Sequence, residues 1–466
     1  MRTSRASRSR ASVRFSPSLA GILLAALLGL LWLAGGASRA DAAGQFLVRS
    51  GAWIALILIL LFGERPSSVP RPIALLVLAA LALVLLQLVP LPPGLWQALP
   101  GRALLSEAAA ASGQAQPWRP LSIAPDATFN AASSLVVPCV VLLLMAGLRE
   151  NERQWVPGAL LALILLSSMV GLLQFSGARL NNPLVNEPVG EVVGTFANRN
   201  HFAVLVALGC LIAPVWAFST GRSSEWRGVV AFGLVPLFAL TILASGSRAG
   251  MIAGGLAIVI GLVLARSGIR RALARYPRWV TWAVIGSALV AICIAVLLSV
   301  AAGRAISIDR AFAVDQSADM RIRALPTILA MMREYFPFGT GIGTFDPVFR
   351  AHEPFDLLKP TYFNHAHNDW LEIVLDAGLP GLLLLLAAVV WWGWASVQAW
   401  WIRPDRHDMM PRLGSAMLLL ILIASVFDYP VRTPMMMAVA VIAGIWLNSR
   451  SGTPGASALP ASKQHL

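Results

Sequence analysis

Twelve apolar runs, each about 17 to 27 residues long, recur along the whole chain at about 17–36, 45–62, 72–90, 130–148, 156–175, 200–219, 228–244, 248–265, 279–301, 369–395, 411–428 and 432–449. Each is long enough to cross a hydrocarbon core of roughly 30 Å. Inside lipid every backbone N–H and C=O must be satisfied within the protein, so such runs are expected as helices. The fold class that follows is all-α: a polytopic transmembrane helical bundle of about twelve helices. The balance of 57% hydrophobic against 12% charged residues excludes an ordinary soluble domain.

The net charge of +14 invites a nucleic-acid reading, but its distribution argues against one. Of the 36 Lys and Arg, 34 are arginine, gathered at the ends of the runs. If the N-terminus is cytoplasmic and the runs alternate, the cytoplasmic segments hold 21 basic residues and the other side 15, seven of them in one long loop. Short loops then obey the positive-inside rule with both termini cytoplasmic. Arg266, Arg270, Arg271, Arg275 and Arg278 read as a topology anchor, and no nucleic-acid partner is expected. The arginine-rich start resembles a signal peptide, but its apolar stretch is long for one, and a retained first helix is expected. Cys139, Cys210 and Cys293 all lie in apolar runs and read as small core residues.

One membrane domain over residues 1–466 is expected, with two prominent periplasmic loops. Residues 91–129 are Pro- and Ala-rich. Residues 302–368 hold seven basic and seven acidic residues and include an amphipathic helix over 320–336, which Pro326 would kink. Pro337-Phe338-Gly339-Thr340-Gly341-Ile342-Gly343-Thr344-Phe345 then reads as a turn, and residues 451–466 as a disordered cytoplasmic tail.

Chemistry concentrates at the ends of runs. His365 and His367, two of only six histidines, close the long loop just before an apolar run. Imidazole is the side chain whose ordinary range suits proton transfer near neutrality. Asp369 and Glu372 have the spacing of an acidic N-cap and its capping-box partner, so a helix is expected to start at Asp369. The free N–H groups of that helix start favour an anion nearby. Arg248, in Ser245-Gly246-Ser247-Arg248-Ala249-Gly250, either snorkels to headgroups or holds a lipid phosphate. Asn198 and Asn200 make a capping turn before the sixth run, with Arg199 a candidate to line the same site. Arg321 and Arg323 fall on different faces of the amphipathic helix, so at most one faces a given site. No metal-ligand cluster, Walker loop or GxSxG is visible, and no metal or cofactor is required.

Gly194-Thr195-Phe196-Ala197-Asn198-Arg199-Asn200, Ser247-Arg248-Ala249, Arg321, the glycine turn at 337–345 and His365-Ala366-His367-Asn368-Asp369-x-Leu371-Glu372 occur in that order. Together they resemble the O-antigen ligase and O-antigen polymerase superfamily of bacterial inner-membrane proteins, which includes protein O-oligosaccharyltransferases. The resemblance implies a metal-independent glycosyltransferase with a periplasmic site. Its donor would be an undecaprenyl-pyrophosphate-linked glycan and its acceptor a saccharide or lipid A-core, among inner-membrane lipids. It also implies that His367 is the essential loop histidine, oriented by Asn368, with His365 a second histidine of the motif. Arg248 and Arg321 would hold the pyrophosphate. Two other classes are open on the residues: a transporter or flippase of lipid-linked glycans, and a non-enzymatic assembly protein. The first would show charged or broken helices near the midplane. The second would need no Arg/His constellation.

Overall fold

The computed structural model describes residues 16–66, 68–178, 180, 182–186, 190–218, 225–279, 316–358, 363–402 and 409–449, with 282, 283, 286, 287, 290 and 293 as isolated positions. Its architecture is a helical bundle. The helices are α1 (Leu19–Ala34), α2 (Ala43–Phe62), α3 (Arg71–Leu86), α4 (Pro93–Gln97), α5 (Ala103–Ala111), α6 (Pro125–Ser134), α7 (Val136–Gly147), α8 (Glu150–Arg153) and α9 (Val156–Phe175). They continue as α10 (Arg199–Phe218), α11 (Glu225–Ser245), α12 (Arg248–Leu273), α13 (Gln316–Tyr335), α14 (Phe345–His352), α15 (Asp369–Val397), α16 (Met410–Phe427) and α17 (Pro434–Asn448). Eight helical segments are long and apolar enough to cross a membrane, and Leu19–Ala34, Arg71–Leu86 and Pro434–Asn448 are shorter apolar helices. Eleven of the twelve apolar runs thus correspond to helices, and the protein is a multi-pass membrane protein. The run at 279–301 and the tail at 451–466 lie almost wholly or wholly outside the described residues, as does most of the loop before α13.

The connections sort as alternating spans require. Those after odd-numbered runs meet at one end. There the Gly36 carbonyl accepts from Ala197 N–H, Gly35 from Met435, and Thr340 from Ile123. Those after the second and fourth runs meet the start of α1 instead, where Glu152 accepts from Ser18 Oγ at 2.6 Å and Arg149 lies 3.5 Å from Glu64.

Helix α10 is the centre of the bundle, packed by α9, α11, α12 and α16. Hydrophobic burial cannot hold helices together inside lipid, so close approach of small residues must. Helix α12 supplies them: a Cβ added at Gly261 would lie 2.8 Å from Pro214, and one at Gly268 would lie 2.6 Å from Phe218. Cys210 is buried in this interface, whereas Cys139 is half-buried and Cys293 is exposed, so not every cysteine is a core residue as expected.

Helix α15 breaks at Gly378, whose φ of 59° and ψ of −144° are open to glycine. The glycine turn at 337–343 is the clasp for this break. Pro337 O accepts from Leu379 N–H at 2.8 Å, Gly341 N–H reaches Asp376 O at 2.8 Å, and Gly343 N–H reaches an Asp376 carboxylate oxygen at 2.9 Å. The loop expected at 91–129 is tied to the same clasp. It contains α4 and α5, and the antiparallel pair Pro90–Leu91 and Arg119–Pro120 closes its base. The fully buried Arg102 donates to Leu121 O and Gly339 O, its guanidinium 5.6 Å from the rings of Trp96 and Tyr335.

Candidate active site

The short connection between α16 and α17 carries the centre of the site. Asp428, 3% exposed, directs both carboxylate oxygens at groups from three distant parts of the chain. Oδ1 lies 3.2 Å from His367 Nδ1, 3.5 Å from His201 Nε2 and 3.0 Å from Tyr429 N–H. Oδ2 accepts from Asn200 at 2.6 Å and Asn198 at 3.3 Å, and lies 3.7 Å from Arg321 Nη2. Burial alone would raise the pKa of this carboxyl. The hydrogen bonds and charges of His201 and His367 outweigh that and hold it well below the usual carboxylate range.

His367 has a φ of 51°, an uncommon conformation for a residue with a Cβ, and such strain costs about 1–3 kcal/mol. Its Nδ1 also lies 3.1 Å from Arg321 Nη2. The two contacts at Nδ1 exclude one another, because accepting from arginine needs a lone pair and donating to the carboxylate needs a proton. Both would be charge-assisted, but a bare Nδ1 lone pair would face the Asp428 anion, whereas Arg321 has the Phe427 carbonyl for its own N–H groups, so the second is preferred. Nδ1–H then donates to Asp428, and among the described residues Nε2 is left unengaged. Arg321 also donates to the Phe427 carbonyl at 3.1 Å, and its Nε is buried without a partner among the described residues.

A second cluster adjoins the first. Glu372 accepts from His365 Nδ1 and from Ala366 N–H, both at 2.8 Å. Arg432 sits among Asp369 at 3.1 Å, Glu372 at 3.1 Å and Asp376 at 3.7 Å. Burial acts to lower the pKa of Arg432, and the attraction of the three carboxylates overrides it and raises it above the ordinary arginine value. Burial also pushes the imidazole of His365 below its ordinary value, against the pull of Glu372. The Tyr429 ring stands between the clusters, 4.0 Å from His365, 5.1 Å from His367 and 4.8 Å from His201 between centroids.

The structure therefore brings His365, His367, Arg321, Asn198 and Asn200 together. Arg323 lies on another face of α13, 3.0 Å from Asp356. Arg248 is exposed at the first turn of α12, and its neighbour Ser247 joins the cluster, with Oγ donating to Asn200 Oδ1 at 2.8 Å. Arg199 pairs with Glu191, at 3.7 Å. Asn198 does make the expected turn, accepting from Asn200 N–H at 2.8 Å.

Two expectations need correction. The N-cap of α15 is Asn368, whose side chain accepts from Trp370 and Leu371 N–H at 3.0 and 3.1 Å, and not Asp369. Asn368 therefore sets the helix start, and among the described residues it makes no hydrogen bond to either histidine. Asp369 and Glu372 are buried partners of Arg432, because i, i+3 spacing also places two carboxylates on one helix face. Asp428, Tyr429, Arg432 and His201 were not singled out from the sequence. The signal for Asp428 and Arg432 was opposite charges in a very short connection between two apolar runs. Among the described residues no group of three or more His, Cys, Asp or Glu is placed to hold a metal ion.

A helical membrane protein with an Asp–His pair and an arginine at one end is the class that fold and site define. Residues 232–386, about a third of the chain, match the family model described as O-Antigen ligase. The matched stretch holds Arg248, Arg321, His365 and His367, and it supports the O-antigen ligase and polymerase superfamily that the motifs resemble. A comparison with curated proteins finds no match.

Proposed function

We propose that the protein is a membrane glycosyltransferase that moves a glycan from an undecaprenyl-pyrophosphate carrier to an acceptor hydroxyl, on the periplasmic face of the inner membrane. The acceptor is a saccharide or lipid A-core. The observation that carries the reading is the His367–Asp428 pair with Arg321 beside it. Asp428 holds the proton on Nδ1, so Nε2 of His367 takes the acceptor hydroxyl proton. The acceptor oxygen forms a bond to the anomeric carbon as the carbon–oxygen bond to the pyrophosphate breaks on the opposite face. The electron pair leaves with the pyrophosphate, giving inversion.

Arg321 and the rim residue Arg248 meet the negative charge that grows on this leaving group, where fixed cations in a partly buried site act most strongly. Arg199, paired with Glu191, borders the approach. His365, locked to Glu372, is a supporting histidine and His367 is the base. Asn198 and Asn200 fix Asp428, and Asn368 fixes the start of α15.

The test is made in a strain lacking the protein, complemented with wild type or His367→Ala at equal membrane levels. Accumulation of pyrophosphate-linked glycan, relieved only by wild type, is expected. Single repeats would mark a polymerase and long chains a ligase. Full relief by His367→Ala would sink the assignment.

A further inference from the structure

Asp428 serves two imidazoles with one oxygen. His367 Nδ1 and His201 Nε2 lie 3.2 and 3.5 Å from the same Oδ1. The proposed reaction uses only the first. His201 is in the first turn of α10, 1% exposed, with its ring edge-on to Tyr429. Its Nδ1 is buried and has no hydrogen-bond partner among the described residues. A proton there would be a buried donor without an acceptor, a costly state. A proton on Nε2 faces a carboxylate instead. Asn198, 3.5 Å from the same Nε2, has Asp428 Oδ2 at 3.3 Å for its own N–H. The titratable groups facing His201 are Asp428 and Tyr429. Arg321 and His367 reach it through Asp428.

Resting on the reading above, we propose that His201 is a positioning residue that divides the hold of Asp428 between two donors and so sets how readily His367 takes up a proton and gives it back. A hydrogen bond donated to Oδ1 draws negative charge away from His367. With His201 in place the imidazolium formed during transfer is stabilised, but not so firmly that it keeps its proton. Without that donor, Asp428 holds the imidazolium harder and His367 protonates at higher pH.

The test compares full-length wild type, His201→Phe and His201→Gln in nanodiscs. Phenylalanine keeps the ring on Tyr429 and lacks the donor, whereas glutamine restores an N–H. Two readouts are taken: the titration of His367 by NMR of 13C-labelled histidine, which needs no substrate, and kcat/KM for transfer against pH. In His201→Phe both the His367 midpoint and the acid limb are expected to move up by roughly half to one pH unit, a typical size for a lost neighbouring hydrogen bond. KM for the donor should hold, and His201→Gln should return toward wild type. No shift, a downward shift, or equal behaviour of Phe and Gln would overturn the proposal. Should the Phe variant not fold, His201→Leu, which also lacks the donor, takes its place with the same expected and overturning results. A shifted midpoint in a protein that transfers no glycan would remove the glycosyltransferase reading and leave the positioning role standing. Normal transfer with an unshifted midpoint would do the reverse.

Discussion

The connection between α16 and α17 carries Asp428 and Arg432, four positions apart, and they organise opposite environments. Asp428 is one anion ringed by donors: two histidines, two asparagines and an arginine. Arg432 is one cation ringed by three carboxylates. The side chains of His367 and Arg321 in the first are 17% and 28% exposed and those of His365 and Arg432 in the second 15% and 18%, so both clusters reach the surface, above the buried Asp428, Glu372 and Asp376. The first holds an imidazole nitrogen unengaged among the described residues, beside a carboxylate that keeps its charge. The second fixes the start of α15, and through His365 and Ala366 it holds the loop on which His367 stands. One cluster is arranged to react and its neighbour to hold it in place.

The contrast is broken most forcefully at Asp428. Asp428→Asn should lower transfer by about 10³-fold, near the middle of the range for loss of acid–base function. The protein should still insert, because an amide retains hydrogen bonds to several of the same partners. Rate and membrane abundance measured together check this. Arg432→Leu should do the opposite. Three buried carboxylates lose their cation, and breaking one side of a buried ion pair costs about 3–5 kcal/mol. Lower abundance and a lower unfolding temperature in detergent are expected, with activity falling only as protein is lost.

Acid should separate the clusters. The pKa of His365 is lowered on folding, so its contribution is complete above the unfolded value of about 6.5 and is lost as pH falls below it. The pKa of Asp428 is also lowered, so its contribution survives until pH falls below the unfolded value of about 3.9. Unfolding temperature against pH should therefore decline in two stages, with His365→Gln removing the first and Asp428→Asn the second. A single stage unaffected by either variant would refute the assignment. The smallest effect is expected at Arg323, where the exposed pair with Asp356 contributes about 0–1 kcal/mol and Arg323→Ala should leave transfer intact. Arg321→Ala, two positions away, should not.

Much of this was legible in the sequence. Run length and loop charge gave the helices and their alternation, because lipid leaves the backbone few choices. His365 and His367 stood out as scarce groups at a run boundary. Choosing Arg321 over Arg323 on physical grounds needed the packing of α13. Asp428 was hidden because its partners His201 and His367 lie 227 and 61 positions away in the chain, and no local pattern encodes that meeting. Asp369 and Glu372 misled because capping-box spacing and same-face spacing coincide at three residues. Asp376, one turn further along the same face, was the sign that a buried cation had to be found, and Arg432 is that cation.

The most direct test of the central claim is transfer by purified wild type and His367→Ala, reconstituted in nanodiscs with a pyrophosphate-linked donor. The account predicts that the variant folds and inserts, still binds the donor, and transfers at a rate lower by about 10²–10⁴-fold. A folded His367→Ala protein that transfers glycan at the wild-type rate would contradict it.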